Sequence, residues 1–77
     1  MQTHTVRSEV TGTVWKIVAG VGDAVAADQE LLILESMKME IPATAPVAGT
    51  VRSILVAEGE AVEEGQGLVV IDGGLLG

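Results

Sequence analysis

Residues 10–35 read VTGTVWKIVAGVGDAVAADQELLILE, and residues 47–72 read VAGTVRSILVAEGEAVEEGQGLVVID. The second stretch lies 37 positions after the first, and the two align without a gap with ten identities in 26 positions. Val10/Val47, Gly12/Gly49, Thr13/Thr50, Val14/Val51, Ile17/Ile54, Gly22/Gly59, Ala24/Ala61, Val25/Val62, Gln29/Gln66 and Leu31/Leu68 are the identical pairs. Leu32/Val69, Ile33/Val70, Leu34/Ile71, Asp23/Glu60 and Glu35/Asp72 keep chemical type. A unit this short cannot close a core alone, so the two halves, 10–35 and 47–72, must pack on each other.

The cues within each half are β. Gly12-Thr13-Val14 opens a β-branched run, Gly20-Val21-Gly22-Asp23 supplies a turn, and Leu31–Leu34 is a short apolar strand. No window sustains a helical stripe; Ala24–Gln29 is the one stretch arguable as a helical turn. Pro42 and Pro46 hold the segment between the halves to extended or turn conformations. The reading is all-β: a flattened barrel or sandwich of about eight short strands in two small antiparallel sheets, related by a pseudo-twofold. Residues 1–77 are expected to form one domain. Residues 1–9 precede the repeat, and Gly73–Gly77 is expected to fray.

Composition narrows the partners. A formal net charge of −7 with only four Lys and Arg, scattered at Arg7, Lys16, Lys38 and Arg52, excludes phosphate backbones as ligands. The longest apolar run is too short to cross a bilayer, and residues 1–15 lack the apolar core of a signal peptide. With no Cys, disulfides play no part. A cytoplasmic protein, monomeric when isolated and bound to neither nucleic acid nor membrane, is expected.

The symmetry also puts Ser36–Met39 at a chain reversal. A tight hairpin tip ordinarily takes Asn-Gly or another pair tolerant of positive φ. Here Glu35-Ser36-Met37-Lys38-Met39-Glu40 puts Met and Lys at its centre. A local breach of turn chemistry in an otherwise consistent sequence is where function is expected. Met normally fills interior gaps, so two of them around a lone amine suggest a handle that another protein grips. A catalytic lysine requires burial or neighbouring cations. Lys38 has Glu35 and Glu40 for neighbours instead, which suits a substrate better than a catalyst.

These residues carry a resemblance. Glu35-Ser36-Met37-Lys38-Met39 is similar to the attachment motif of biotinyl carrier domains, whose core is Met-Lys-Met. Ile41, Ala45-Pro46, Gly49 and Val51 resemble the same family's downstream pattern. So do Val21–Val25 and Glu58–Val62, and the likeness runs over residues 6–72. It implies a biotin carboxyl carrier of a biotin-dependent carboxylase, with no catalysis of its own. Lys38 would hold biotin covalently and Met37 and Met39 would serve recognition. The partners implied are a biotin–protein ligase that forms the amide, a biotin carboxylase using ATP and bicarbonate, and a carboxyltransferase. Acetyl-CoA, another acyl-CoA, pyruvate and urea are all open as acceptors. The ungapped repeat leaves no room for the protruding hairpin of some acetyl-CoA carboxylase carriers. A free-standing carrier and the C-terminal piece of a larger chain are both open.

Two rival functions are weaker. A lipoyl carrier shares the scaffold, but an acidic residue usually precedes its lysine, where this chain has Met37. An unmodified interaction module leaves the Met-Lys-Met turn unexplained. No nucleophile–base constellation points to a stand-alone enzyme. Trp15, aligned with Arg52, is read as a surface position packing at a rim rather than as a partner contact. His4 has no Cys, Ser or metal-spaced companion and is expected in solvent. Glu58, Glu60, Glu63 and Glu64 are read as a solvated acidic turn.

Overall fold

A computed structural model describes residues 2–73, as eight strands with no helix among them. In chain order they are β1 (Gln2–Arg7), β2 (Gly12–Ile17), β3 (Ala24–Val25), β4 (Glu30–Ser36), β5 (Met39–Thr44), β6 (Gly49–Ile54), β7 (Ala61–Val62) and β8 (Gly67–Gly73). All pairings are antiparallel. One four-stranded sheet runs β1-β8-β6-β3, here the terminal sheet; the other runs β5-β4-β2-β7, here the hairpin sheet. The two-layer all-β architecture expected from the repeat is what forms.

The symmetry reaches further than the identities. Adding 37 to the bounds of β1, β2, β3 and β4 reproduces those of β5, β6, β7 and β8. Residues 2–7 and 39–44 are therefore equivalent strands, although they share no identical residue. What read as a lead-in and a linker are the first strands of the two halves. Both are edge strands, where one face meets the core and only the inward pattern is constrained. Their edge position also explains how Pro42 sits inside β5, since an edge strand has one side with no ladder bond to lose. Each sheet takes two strands from each half, so neither half completes a sheet alone.

Between the sheets the core pairs by symmetry: Val14 with Val51, Ala19 with Val56, Val25 with Val62, Leu31 with Leu68, Leu32 with Val69, Leu34 with Ile71. Cutting a side chain such as Leu31, 0% exposed, to Ala would cost about 2–5 kcal/mol. The Ala45 position is filled in the other half by Ser8, buried and with its hydroxyl donating to the Val10 carbonyl at 2.5 Å.

Side chains close the turns in matching pairs. The Asp23 carboxylate accepts from the Gly20 N–H at 2.7 Å and Glu60 from the Ala57 N–H at 3.0 Å. Gln29 accepts from the Ala26 N–H at 2.9 Å and Gln66 from the Glu63 N–H at 3.0 Å. Residues 24–29 thus form β3 and a capped turn, with no helical turn. Glu58 accepts from the Ile17 N–H at 2.9 Å. Two members of the acidic segment therefore hold backbone and are more than solvated charge.

Three positions decide how the ends of the barrel close. A Cβ on Gly12 would overlap the Glu35 carbonyl oxygen, and one on Gly49 would overlap that of Asp72. Gly73, expected to fray, is the last residue of β8 and pairs with Gln2 and Gly49; residues 74–77 lie outside those described. His4 departs most from expectation. It alternates with Val6 on β1, so its ring turns inward, and its Nε2 is buried without a hydrogen-bond partner. Its equivalent in the other half is Ile41.

An unpartnered buried nitrogen costs more than an apolar group of similar shape, so His4→Ile should stabilise the domain by about 1 kcal/mol. A higher urea midpoint at unchanged m-value is the expected reading. Gly12→Ala should do the opposite, lowering stability by about 1–3 kcal/mol through backbone overlap. A thermal midpoint equal to the parent's would contradict that crowding.

Candidate functional site

The hairpin joining β4 to β5 is where the two halves meet in sequence. Its register pairs Leu34 with Ile41, Glu35 with Glu40 and Ser36 with Met39. Met37 and Lys38 are left as a two-residue loop. Both have left-handed backbones, φ 53° and 66°, the signature of a type I′ turn, which matches strand twist but strains any residue with a Cβ. The other positive-φ positions described fall into symmetric pairs, Gly22 with Gly59 and Asp28 with Gly65. The Met-Lys tip is the only described place where two consecutive residues adopt this conformation without glycine.

The base of the hairpin is held while its tip stands clear. The Ser36 hydroxyl donates to the Thr11 carbonyl at 2.9 Å, and Gly12 lets β2 close against the Glu35 backbone. Beyond that point nothing buries the tip: Met37 is 91% exposed, Met39 62%, and Lys38 is exposed as well. The strand pairings put Gln2 and Gly73 at the opposite end of a body 39 × 19 × 18 Å. Among the described residues the one ion pair is Arg52–Asp72 at 3.2 Å, so no carboxylate pins the Lys38 ammonium.

Lys38, Met37 and Met39 thus come together at the tip. Lys16 lies on β2, against Ile33 of β4 and away from the loop. The residues missed from sequence are the supporting ones. Ser36 anchors the base, and Glu35 lies directly across from Glu40. The second could have been read: once the loop is two residues long, Glu35 and Glu40 must be partners.

Chemically, the site is an exposed primary amine on a hydrogen-bonded hairpin, able to accept an acyl group. A cleft between β1 and β5, lined by Val6, Arg7, Glu9, Leu34 and Ile41 among others, measures about 90 Å³. Small-molecule sites run from roughly 300 Å³ upward, so that cleft is too small to enclose a cofactor. Any group joined to Lys38 would be carried outside the barrel.

Comparison with known proteins agrees with this geometry. Residues 4–71 match the biotin/lipoyl family model described as "Biotin-requiring enzyme". The chain is 49% identical over 41 residues to the biotin/lipoyl attachment protein of Bacillus subtilis, an overlap covering 53% of this chain and 56% of that one. It is 51% identical over 41 residues to urea amidolyase of Saccharomyces cerevisiae, covering 53% of this chain and 2% of that enzyme. Against the biotin carboxyl carrier protein of Streptococcus mutans identity is 43% over 45 residues, 58% of this chain and 35% of that one. Each of these matches therefore covers less than two thirds of the relative's length. Among solved structures, Kluyveromyces lactis urea carboxylase superposes with TM-score 0.89 at 40% identity, over 94% of this chain and 6% of the enzyme. A single-chain, multi-domain long-chain acyl-CoA carboxylase gives TM-score 0.83 at 34% identity, over 88% and 7%. Fold, hairpin and sequence converge: the chain belongs to the biotin/lipoyl family of biotin-requiring enzymes.

Proposed function

We propose that this chain is the biotin carrier of a biotin-dependent carboxylase and that Lys38 is its point of attachment. One observation carries the reading: an exposed amine flanked by two exposed thioethers, on a left-handed two-residue turn built without glycine. Met37 and Met39 offer soft apolar grips to a modifying enzyme. The residue before the amine is Met rather than an acid, which favours biotin over lipoate.

In the modification step, a biotin–protein ligase presents an activated biotin carboxyl group. The Lys38 nitrogen displaces the activating group, an amide N–C bond forms, and the two surplus ammonium protons pass to solvent. When bound, biotin supplies a ureido nitrogen that takes up and releases a carboxyl group. The chain's own part is presentation. The Ser36–Thr11 bond and the β4–β5 register fix the root of the arm, while the bare tip leaves the far end free to reach a biotin carboxylase and then a carboxyltransferase. Tethering holds the carried group at an effective concentration on the order of millimolar near both sites. The protein works as a cytoplasmic carrier with no catalytic group of its own; the cofactor does the chemistry.

Incubation with ligase, ATP and biotin should add one biotin at Lys38 and none at Lys16, seen by intact mass and peptide mapping. A Lys38→Arg variant that still gains biotin would defeat the assignment, and gain of lipoate in place of biotin would redirect it. Recasting Met37-Lys38 as Asn-Gly should relieve the turn and raise stability by about 1 kcal/mol while abolishing modification. Lower stability of that double variant would show that the native tip is not strained.

A further inference from the structure

The pseudo-twofold gives every residue on the outer face of the hairpin sheet a counterpart on the terminal sheet, and the two faces can be compared row by row. On the terminal sheet, Thr5, Val70 and Ser53 lie side by side, with Arg52 at the adjoining bulge. On the hairpin sheet the same row is Pro42, Ile33 and Lys16, with Trp15 at the bulge. The bulge turns both Trp15 and Lys16 outward while Val14 stays in the core. One row nearer the tip, the terminal sheet has Thr3, Asp72 and Thr50; the hairpin sheet has Glu40, Glu35 and Thr13.

The chemistry of the two faces diverges. Arg52 is bonded to Asp72 across the terminal face, so that face is polar and neutralised within itself. Trp15 replaces that arginine on the hairpin face and stands 50% exposed. Glu35, the equivalent of Asp72, therefore lacks its cation and instead faces Glu40 across the strands. Like charges directly opposite on a sheet are unfavourable, and among the described residues neither is in an ion pair. An apolar shelf of Trp15, Ile33 and Pro42 thus adjoins two carboxylates that make no ion pair among the described residues, with Lys16 one row away, on the sheet that carries the Lys38 hairpin.

We infer that the outer face of the hairpin sheet is the surface by which the ligase holds the domain, with an apolar recess for Trp15 and Lys or Arg groups opposite Glu35 and Glu40. The inference rests on the proposed modification of Lys38. Charge complementarity selects a cationic rim, because a partner cation supplies what Arg52 supplies to Asp72. Geometry selects the ligase among the partners. An enzyme acting on the amine must fix the protein to which the amine belongs, and β2 and β4 are bonded to the root of the hairpin. An enzyme acting at the far end of a flexible arm gains little from gripping this face.

The symmetry also supplies the test variants, since the counterpart residue is already accommodated by the same scaffold. Trp15→Arg and, separately, Pro42→Thr copy the terminal face onto the hairpin face, and Arg52→Trp makes the reverse change as a control. Steady-state biotinylation by ligase, with ATP and biotin, should show KM for the carrier raised about tenfold by Trp15→Arg, the loss expected of a buried interface aromatic. Pro42→Thr should raise KM less. Both should leave kcat near the parent's, the signature of lost binding rather than lost chemistry. Arg52→Trp should leave KM unchanged. Trp15→Arg carrier that has been driven to full biotinylation should be carboxylated by biotin carboxylase, with ATP and bicarbonate, at the parent's rate. Parental KM in both hairpin-face variants would overturn the inference, as would an equal KM rise in Arg52→Trp. Normal ligation with impaired carboxylation would overturn it too, by giving the face to a later partner. Should the parent itself gain no biotin, the carrier reading fails, which is a separate result from any difference among variants.

Discussion

The rest of the structure depends on the way two short halves complete each other. Neither half contains enough apolar surface to shield itself, and each sheet is assembled from two strands of each half. Leu31 and Leu34 of one half and Leu68 and Ile71 of the other sit at equivalent places in a shared core. That interleaving makes the link between halves a hairpin at one end of the body and brings Gln2 and Gly73 to the opposite end. The amine is presented because the topology leaves the β4–β5 connection nowhere to go but outward.

The tip then runs against the economy of the rest. Turns elsewhere use glycine or a carboxylate or amide that caps the backbone, and they do so in symmetric pairs. Met37 and Lys38 accept a backbone that a Cβ disfavours, and Met37 and Met39 expose thioethers to water. Strain and exposed thioethers gathered at one tip mark it as a functional position rather than a structural one. The two outer faces show a second break in symmetry. Where the scaffold could carry an internally neutralised face twice, it does so once, and the exception lies beside the amine.

Much of this was legible in the sequence. The ungapped repeat marks the paired strands within 10–35 and 47–72 and the position of the turn, because packing at Val14, Leu31 and their partners constrains identity. It failed for β1 and β5, where edge position constrains only the inward pattern and no identity survives. His4 reads as solvated for the same reason. A histidine on an unrecognised strand looks like one on a loose end, and its equivalence to Ile41 emerges only with the register. The site triad Met37, Lys38 and Met39 was visible as a violation of turn preference. Its supports were hidden, since the Ser36–Thr11 bond and the crowding at Gly12 depend on how strands approach in space. Glu58 and Glu60 are exposed, as an acidic turn should be, but their acceptance of backbone N–H groups is not visible in composition.

The two-half scaffold holds Lys38 outward on a left-handed turn, a placement that should be independent of whatever is attached to it. Backbone couplings and residual dipolar couplings of the isotope-labelled domain, measured before and after biotinylation, address this most directly. Positive φ at both Met37 and Lys38 in each state, with amide shifts changing only from Ser36 to Met39, is the predicted result. Averaged couplings at the tip, or changes spreading into Leu31–Leu34 of the core, would contradict it.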